Sequence, residues 1–384
     1  MTTVFERPSA WQRVRPFLTG FDGPLVLAIL FLTVLGLVSM YSAGFDHGTR
    51  FVDHGRNMLI ALAVLLVVAQ VPPQRLADLA VPLYVAGVLL LLAVEFFGIT
   101  RKGATRWLDL GVIVIQPSEI LKIAAPLVLA WWFQRREATR NLQDFLVALA
   151  LLAVPVLLVV KQPDLGTAIL IFAAGMYVLF FAGLSWKLIL PTAVVAVAGV
   201  LAIVASEDHI CQPEVKWHVL HEYQKSRVCT LLDPTKDPLG KGFHIIQGEI
   251  AIGSGGLSGK GFMKGTQTHL EFIPERTTDF IFAAFAEEFG LAGCALLLLA
   301  FLFLIFRGLM IAADAPSLFS RLLAGAITLS LFTYAFVNMG MVLGLLPVVG
   351  VPLPFVSYGG TAMVSMGLAL GILMSIARSR RVRG

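Results

Sequence analysis

Polar and apolar positions in this chain neither alternate with period two nor fall on a single helical stripe. They segregate into long, charge-poor apolar blocks separated by short polar punctuation. Each block approaches the roughly 20 residues that a helix needs to cross a bilayer. Ten spans are predicted, near 24–44, 57–71, 77–97, 116–134, 143–160, 164–184, 187–205, 279–306, 321–346 and 356–377. The second is short and ends at Pro72-Pro73-Gln74-Arg75, a tight turn. Continuous runs of this kind exclude a β-barrel. The expected fold class is all-α: a polytopic integral membrane protein with about ten transmembrane helices. A single membrane domain fills 1–384, and a large polar loop, 206–278, separates spans seven and eight.

Composition agrees, with 58% hydrophobic residues, 14% charged and a mean hydropathy of +0.85. A soluble chain of this size could not bury so much apolar surface in one core. The first span follows Arg7, Arg13 and Arg15 but outruns a signal-peptide core, so it is read as retained. An even number of spans puts both termini on one side, and the positive-inside rule chooses the cytoplasm. Fourteen Lys/Arg then fall inside (Arg7, Arg13, Arg15, Arg75, Arg135, Arg136, Arg140, Lys187, Arg307, Arg321, Arg378, Arg380, Arg381 and Arg383). Six fall in the short outer loops (Arg50, Arg56, Arg101, Lys102, Arg106 and Lys161). The tails 1–23 and 378–384 are thus expected to be cytoplasmic, and 206–278 to face outward from the cytoplasmic membrane. The basic pI of 9.2 reports this topology, and no nucleic-acid partner is invoked. Cys211 and Cys229 both lie in the outer loop, where an oxidising compartment permits a disulfide; two free thiols are the alternative.

Charges inside spans carry the candidate chemistry, because each costs several kcal/mol unless paired or wet. Gln116, Glu119 and Lys122 recur at spacing three on the fourth span, with Pro117 in its first turn. Lys122 then lies about 9 Å along the helix from Gln116. The pair Glu119–Lys122 either fixes helix packing or forms one wall of a polar cavity together with Arg106. Asp164 opens the sixth span, as a helix cap or as a cavity partner of Arg106 or Lys122. Glu275, Arg276 and Asp279 crowd the start of the eighth span, and Glu287 lies about 12 Å deeper, able to border the same cavity. The prolines and glycines of 347–360, which include Ser357, Tyr358 and Gly359, predict a re-entrant loop. Unwound backbone of this kind also serves transporters. The glycine-rich Gly253–Gly261, "GSGGLSGKG", fits neither nucleotide-binding template. It is read as a flexible turn, or as a site where backbone N–H groups and Lys260 meet a diphosphate.

The chain resembles the SEDS family (shape, elongation, division and sporulation) of peptidoglycan glycosyltransferases, and its elongation-type members in particular. The resemblance rests on "GATRWLDLG…QPSEILK" at 103–122, "KQPDLGTA" at 161–168, "GEIAIGSGGLSGKG" at 248–261, "TTDFIFAAFAEEFG" at 277–290 and "LLPVVGVPLPFVSYGGT" at 345–361. It implies ten spans and an enzyme that polymerises lipid II on the outer face of the cytoplasmic membrane for cell elongation and rod shape, releasing undecaprenyl diphosphate. It implies that Asp279 is the catalytic residue, as base, orienter or holder of a divalent cation such as Mg²⁺ or Mn²⁺. Arg106 and Lys122, with Glu119 and Asp164, are the candidates for the diphosphate. Glu275, Arg276, Lys260, Ser357, Tyr358 and Gly359 complete the expected site. Thr277 departs from several members, which have histidine there. The implied partners are a class B penicillin-binding protein, as a heterodimer, and elongation-complex proteins such as MreC and MreD. A lipid II flippase or transporter is the competing reading, and a pure scaffold a third.

Overall fold

The computed structural model describes residues 20–381, apart from 47, 102, 103, 110, 112, 113, 139, 140, 213, 214, 216–221, 239 and 274. Arg7, Arg13, Arg15, Lys102, Arg140 and Arg383 therefore lie outside the described residues, as does most of the N-tail.

The chain runs α1 Gly23–Ala43, α2 Arg50–Val68, α3 Pro73–Phe97, then strands β1 Ile99–Arg101, β2 Ala104–Asp109 and β3 Val114–Ile115. Next come α4 Pro117–Arg135, α5 Leu142–Lys161, α6 Leu165–Phe181 and α7 Trp186–Ala205. The large loop folds into α8 Glu207–Ile210, α9 Glu222–Leu232, a 3₁₀ turn Pro234–Lys236, α10 Lys241–Gly255 and α11 Thr266–His269. The chain ends with α12 Ile281–Ala313, α13 Leu318–Val342 and α14 Gly360–Arg381. All ten expected spans form as helices. Eight of them are long and apolar enough to cross a membrane. The other two are α6, which has 17 residues, and α4, which carries Glu119, Lys122 and Arg135.

Three boundaries differ from expectation for physical reasons. Helix α2 starts at Arg50, seven residues before the predicted 57, because its polar first turns face protein. Arg50 donates to the Thr277 hydroxyl, and His54 is fully buried. The segment between α3 and α4 is not simply loop. It pairs as an antiparallel sheet in the order β1-β2-β3, too short for its pattern to register. Finally, α12 is two helices joined at Gly290, whose φ of 61° is non-helical. Ile281–Phe289 is a short arm, and the span proper runs from 291 to 313.

That break is closed by the glycine-rich loop. Leu291 N–H donates to the Gly256 carbonyl at 2.9 Å and Ala292 N–H to Leu257 at 3.0 Å. In return, Lys260 and Gly261 N–H donate to the Glu287 and Glu288 carbonyls, each at 3.0 Å. Backbone groups freed at the break are thereby satisfied within the protein, as membrane depth demands. Only glycine fits at Gly259: its φ is +77°, and a Cβ there would lie 2.0 Å from the Glu288 carbonyl oxygen.

The core centres on α4, α6 and α13, which pack on one another, with α3 and α5 outside them and α1 against α12. Helix α14 packs closely on α2, where a Cβ at Gly367 would come within 2.3 Å of the Ala61 carbonyl oxygen. At the end away from the large loop, Arg307 Nε donates to the α1 cap Asp22 at 2.8 Å. Helix α7 stands apart, with none of its residues buried. Cys211 and Cys229 are disulfide-bonded, which joins the segment after α7 to α9.

Candidate active site

Elements distant in sequence converge on a cavity of about 250 Å³ at the loop end of the bundle. Its lining includes Arg106 and Trp107 from β2, Gln116 at the cap of α4, Glu119 and Lys122 within α4, and Asp164 and Thr167 at the start of α6. Glu275, Thr278 and Asp279 enter from the chain before α12, and Gly350–Pro352, Tyr358 and Gly359 from the re-entrant segment. The cavity thus gathers nine of the residues singled out from sequence: Arg106, Gln116, Glu119, Lys122, Asp164, Glu275, Asp279, Tyr358 and Gly359.

Helix starts explain much of this convergence. Pro117 begins α4, so Glu119 and Lys122 sit within its first two turns on one face. Their side chains pair at 2.6 Å while only 12% and 8% exposed. Glu119 Oε2 also accepts from the Ser365 hydroxyl at 2.9 Å, and the Lys122 ammonium lies 5.3 Å from the Tyr334 ring centroid. Asp164 fulfils both expected roles. Its Oδ1 accepts from Thr167 N–H at 3.2 Å as the cap of α6. Its Oδ2 accepts from Gln116 Nε2 at 3.2 Å and lies 3.6 Å from Arg106 Nη1. Arg106 is further fixed by the Gln162 and Pro163 carbonyls.

Asp279 is held by its backbone, and so is the loop beside it. Asn338 Nδ2 donates to the Asp279 carbonyl at 3.0 Å and to the Val351 carbonyl at 2.7 Å. Tyr358 N–H donates to the Thr277 carbonyl at 2.8 Å. A Cβ at Gly350 would lie 3.4 Å from Asp279 Oδ2, so the re-entrant loop passes directly over the carboxylate.

Four expected participants sit elsewhere. Lys260 turns away and pairs with Glu287 at 2.7 Å. Glu287 is fully buried rather than lining the cavity; its carboxylate also accepts from Thr266, Gln267 N–H and Thr268. The N–H groups of Lys260 and Gly261 are spent on the helix break, so the diphosphate nest is not formed there. Arg276 is buried, donating to the Ala43 carbonyl at 3.0 Å and to Asp46. Ser357 is buried and structural: it accepts from Leu353 N–H at 2.8 Å and donates to the Thr278 carbonyl at 2.7 Å. Sequence reasoning missed Arg50, His54, Tyr334 and Asn338. A lone polar group inside an apolar block was the available signal for the last two.

Four carboxylates and two cations line the cavity, a formal excess of two negative charges. No group of three or more His, Cys, Asp or Glu able to hold a metal occurs among the described residues. A second, apolar groove of about 290 Å³ lies between α1, α2 and α14, where Phe355, Met363 and Met366 are part of its lining.

A membrane bundle whose loop end gathers acids and bases around one aspartate defines a class, and residues 24–382 match the family model of FtsW, RodA and SpoVE, described as cell cycle proteins. The chain belongs to that family and is an integral membrane protein. It is 47% identical over 383 residues to the peptidoglycan glycosyltransferase MrdB of Escherichia coli K12, covering 100% of this chain and 99% of that one. It is 34% identical over 376 residues to the probable peptidoglycan glycosyltransferase FtsW of Geobacter metallireducens, covering 95% and 96%. Among solved structures, the rod shape determining protein RodA of Thermus thermophilus matches with TM-score 0.69 and 28% identity, covering 94% of this chain and 98% of that one. A chain of a peptidoglycan synthase complex, solved for how it coordinates polymerization and crosslinking, matches with TM-score 0.78 and 30% identity, covering 94% and 99%.

Proposed function

We propose that this protein is a peptidoglycan glycosyltransferase that polymerises lipid II into glycan strands on the outer face of the cytoplasmic membrane, with both termini cytoplasmic. The observation that carries this reading is the single cavity in which Asp279 meets Arg106 and Lys122. The full-length identity to MrdB supports it. In the reaction, the 4-hydroxyl of one lipid II attacks the anomeric carbon of the growing strand. The C–O bond to undecaprenyl diphosphate breaks with inversion, and the hydroxyl proton leaves toward a base. Asp279 orients or deprotonates that hydroxyl. Arg106 and Lys122 stabilise the charge that develops on the diphosphate, each held in place by a carboxylate. The apolar groove beside α14 suits a polyprenyl tail.

The acidic excess of the cavity suits a divalent cation such as Mg²⁺ or Mn²⁺. Such ions commonly bind through one or two carboxylates together with substrate phosphates, without an all-protein cage. Asp279 and Glu275 would hold it, and it would supply charge neutralisation at the diphosphate. The partners we propose are a class B penicillin-binding protein, in line with the synthase complex that this chain resembles, and MreC and MreD, as the family resemblance implies.

The test is polymerisation by the full chain copurified with its class B penicillin-binding protein, supplied with lipid II in detergent. Asp279→Asn is expected to lower the rate by about 10²–10⁴-fold, the worth of a positioned acid–base group. Polymer formed equally by the variant would overturn the catalytic assignment. No polymer, with lipid II translocated in sealed vesicles, would establish the flippase reading instead.

A further inference from the structure

The segment of the large loop from Gly256 to Phe272 has its polarity turned inside out. Its central cation points inward: Lys260 Nζ donates to the Thr266 hydroxyl and to the Glu287 carboxylate, each at 2.7 Å. Gln267 N–H and Thr268 N–H close on that same buried carboxylate. His269 Nδ1 bonds the Gly265 carbonyl at 2.7 Å, and the backbone N–H groups of Lys264, Leu270 and Phe272 are satisfied within the segment. The apolar side chains go the other way. Leu257 is 76% exposed and Leu270 64%, and Phe262, Met263 and Phe272 are exposed in the same segment. One exposed leucine needs no explanation, but a cluster on a segment that folds its ionic group inside marks an interaction surface.

The surface is continuous with the sides of the helices. Phe262 stacks on Tyr41 of α1 with ring centroids 6.1 Å apart, and Tyr41 meets Phe51 of α2 edge-on at 5.3 Å. Both of those rings are exposed in turn. His269 stacks at 4.4 Å on Phe45, exposed just beyond the end of α1. Backbone bonds fix the level of the segment along α12, because Leu291 and Ala292 N–H donate to the Gly256 and Leu257 carbonyls. The span proper, 291–313, is about 34 Å long at 1.5 Å per residue. That is close to the roughly 30 Å thickness of bilayer hydrocarbon. Leu291, itself exposed, therefore stands at the edge of the hydrocarbon, and Leu257 stands level with it. Aromatic side chains and amphipathic segments are favoured at that depth. The exposed charges of the segment, Lys264 and Glu271, can extend to the headgroups.

We infer that the segment 256–272 lies in the bilayer interface at the loop end, with Leu257, Phe262, Met263, Leu270 and Phe272 seated among phospholipid acyl chains. The large loop is then not wholly outside the membrane, and part of it forms a collar beside α1, α2 and α12. Lys260 and Gly261 N–H tie that collar to the arm Ile281–Phe289, so lipid contact also sets the height of Asp279, two residues before the arm. This assignment needs only that the chain is a membrane protein and is independent of the polymerase reading.

Nitroxide labels placed one at a time through Leu257→Cys, Phe262→Cys and Leu270→Cys test it, in a Cys294→Ala background. Cys211 and Cys229 are bonded to each other and do not take the label. The full chain is held in nanodiscs of phosphatidylethanolamine and phosphatidylglycerol without lipid II. Leu190→Cys, exposed on α7, is the lipid reference, and Lys236→Cys, exposed in the 3₁₀ turn, is the water reference. Relaxation by oxygen relative to a water-soluble nickel chelate is expected to be several-fold higher at all three positions than at the water reference, approaching the lipid reference. Ready access of the nickel chelate would overturn the inference. Protection from both reagents would overturn it too, since protein and not lipid would then cover the face. The wild-type chain supplies a check free of substitutions: a phospholipid with a diazirine in its acyl chain is expected to label 256–272 and to spare the 3₁₀ turn. Labelling of α7 without labelling of 256–272 would count against the collar equally.

Discussion

Lys122 Nζ lies 2.6 Å from Glu119 Oε1 in a pair that is almost wholly withdrawn from solvent, one turn into a helix whose first residue is a proline. Neither charge is easily left alone there. Glu119→Gln or Lys122→Met is expected to destabilise the protein by about 3–5 kcal/mol, and the double variant by distinctly less, because it leaves no uncompensated charge. Denaturation of the four proteins in detergent reads this directly. All three variants are expected to lose polymerisation, since the pair faces the cavity. Additive stability losses would show that the two side chains are not coupled.

The Gly259–Gly290 splice predicts a local effect from a single methyl group. Gly259→Ala places a side chain at φ +77° and within 2.0 Å of the Glu288 carbonyl, so loop and helix must separate. A non-glycine residue in the left-handed region alone costs about 1–2 kcal/mol. Hydrogen exchange is expected to rise at 256–261 and at Leu291 and Ala292 while α4 and α13 stay protected. Unchanged exchange at those amides would mean the splice is not what holds them.

Lys260 now has a structural task, and its replacement distinguishes that task from a diphosphate contact. Lys260→Met leaves the buried Glu287 carboxylate without its cation and is expected to destabilise the loop, with partial recovery in the Lys260→Met, Glu287→Gln double variant. Lipid II affinity, corrected for folded protein, is expected to stay at the wild-type value in the double variant.

The Cys211–Cys229 bond closes a loop with a sequence separation of 18 residues. Reduction, or replacement of both cysteines by serine, is expected to lower stability by about 2–4 kcal/mol, chiefly by freeing the unfolded chain. Apparent Tm with and without reductant checks this, and the serine variant is expected not to respond to reductant.

His244 gives the outer loop a pH dependence of definite sign. Its folded-state pKa lies below the ordinary histidine value because burial disfavours the cation, with Glu275 opposing. The unfolded chain therefore takes up a proton first as pH falls below about 6.5. Stability is complete above that pH and declines beneath it until the folded form also protonates. His244→Gln is expected to flatten the Tm profile between pH 7 and pH 5. A wild-type profile already flat across that window would exclude His244 as the cause.

Long apolar runs made the helices legible, because a bilayer imposes length and apolarity on each span separately, although α4 is charged and α6 short. The cavity wall on α4 was also legible, since Glu119 and Lys122 share a face by helical spacing and have no bland reason to be in a span. Partners from distant segments were not legible. Arg276 stands beside Asp279 in sequence, yet its guanidinium reaches Asp46, over two hundred residues away, and no local pattern announces that contact. Lys260 and Glu287 misled in the same way, because periodicity places residues on faces but does not say which face another loop will cover. The break at Gly290 escaped notice because an apolar run reads alike whether its helix is whole or spliced.

One helix lies at the other extreme from these contacts. With none of its residues buried, α7 has few neighbouring side chains to set the shapes of its own; the Trp186 ring, 5.7 Å from that of Phe180, is an exception. Where its side chains meet no other part of the chain, exchanges among leucine, isoleucine and valine leave no void in the core. For most of those twenty residues the requirement is to be apolar, and not to fit a particular neighbour.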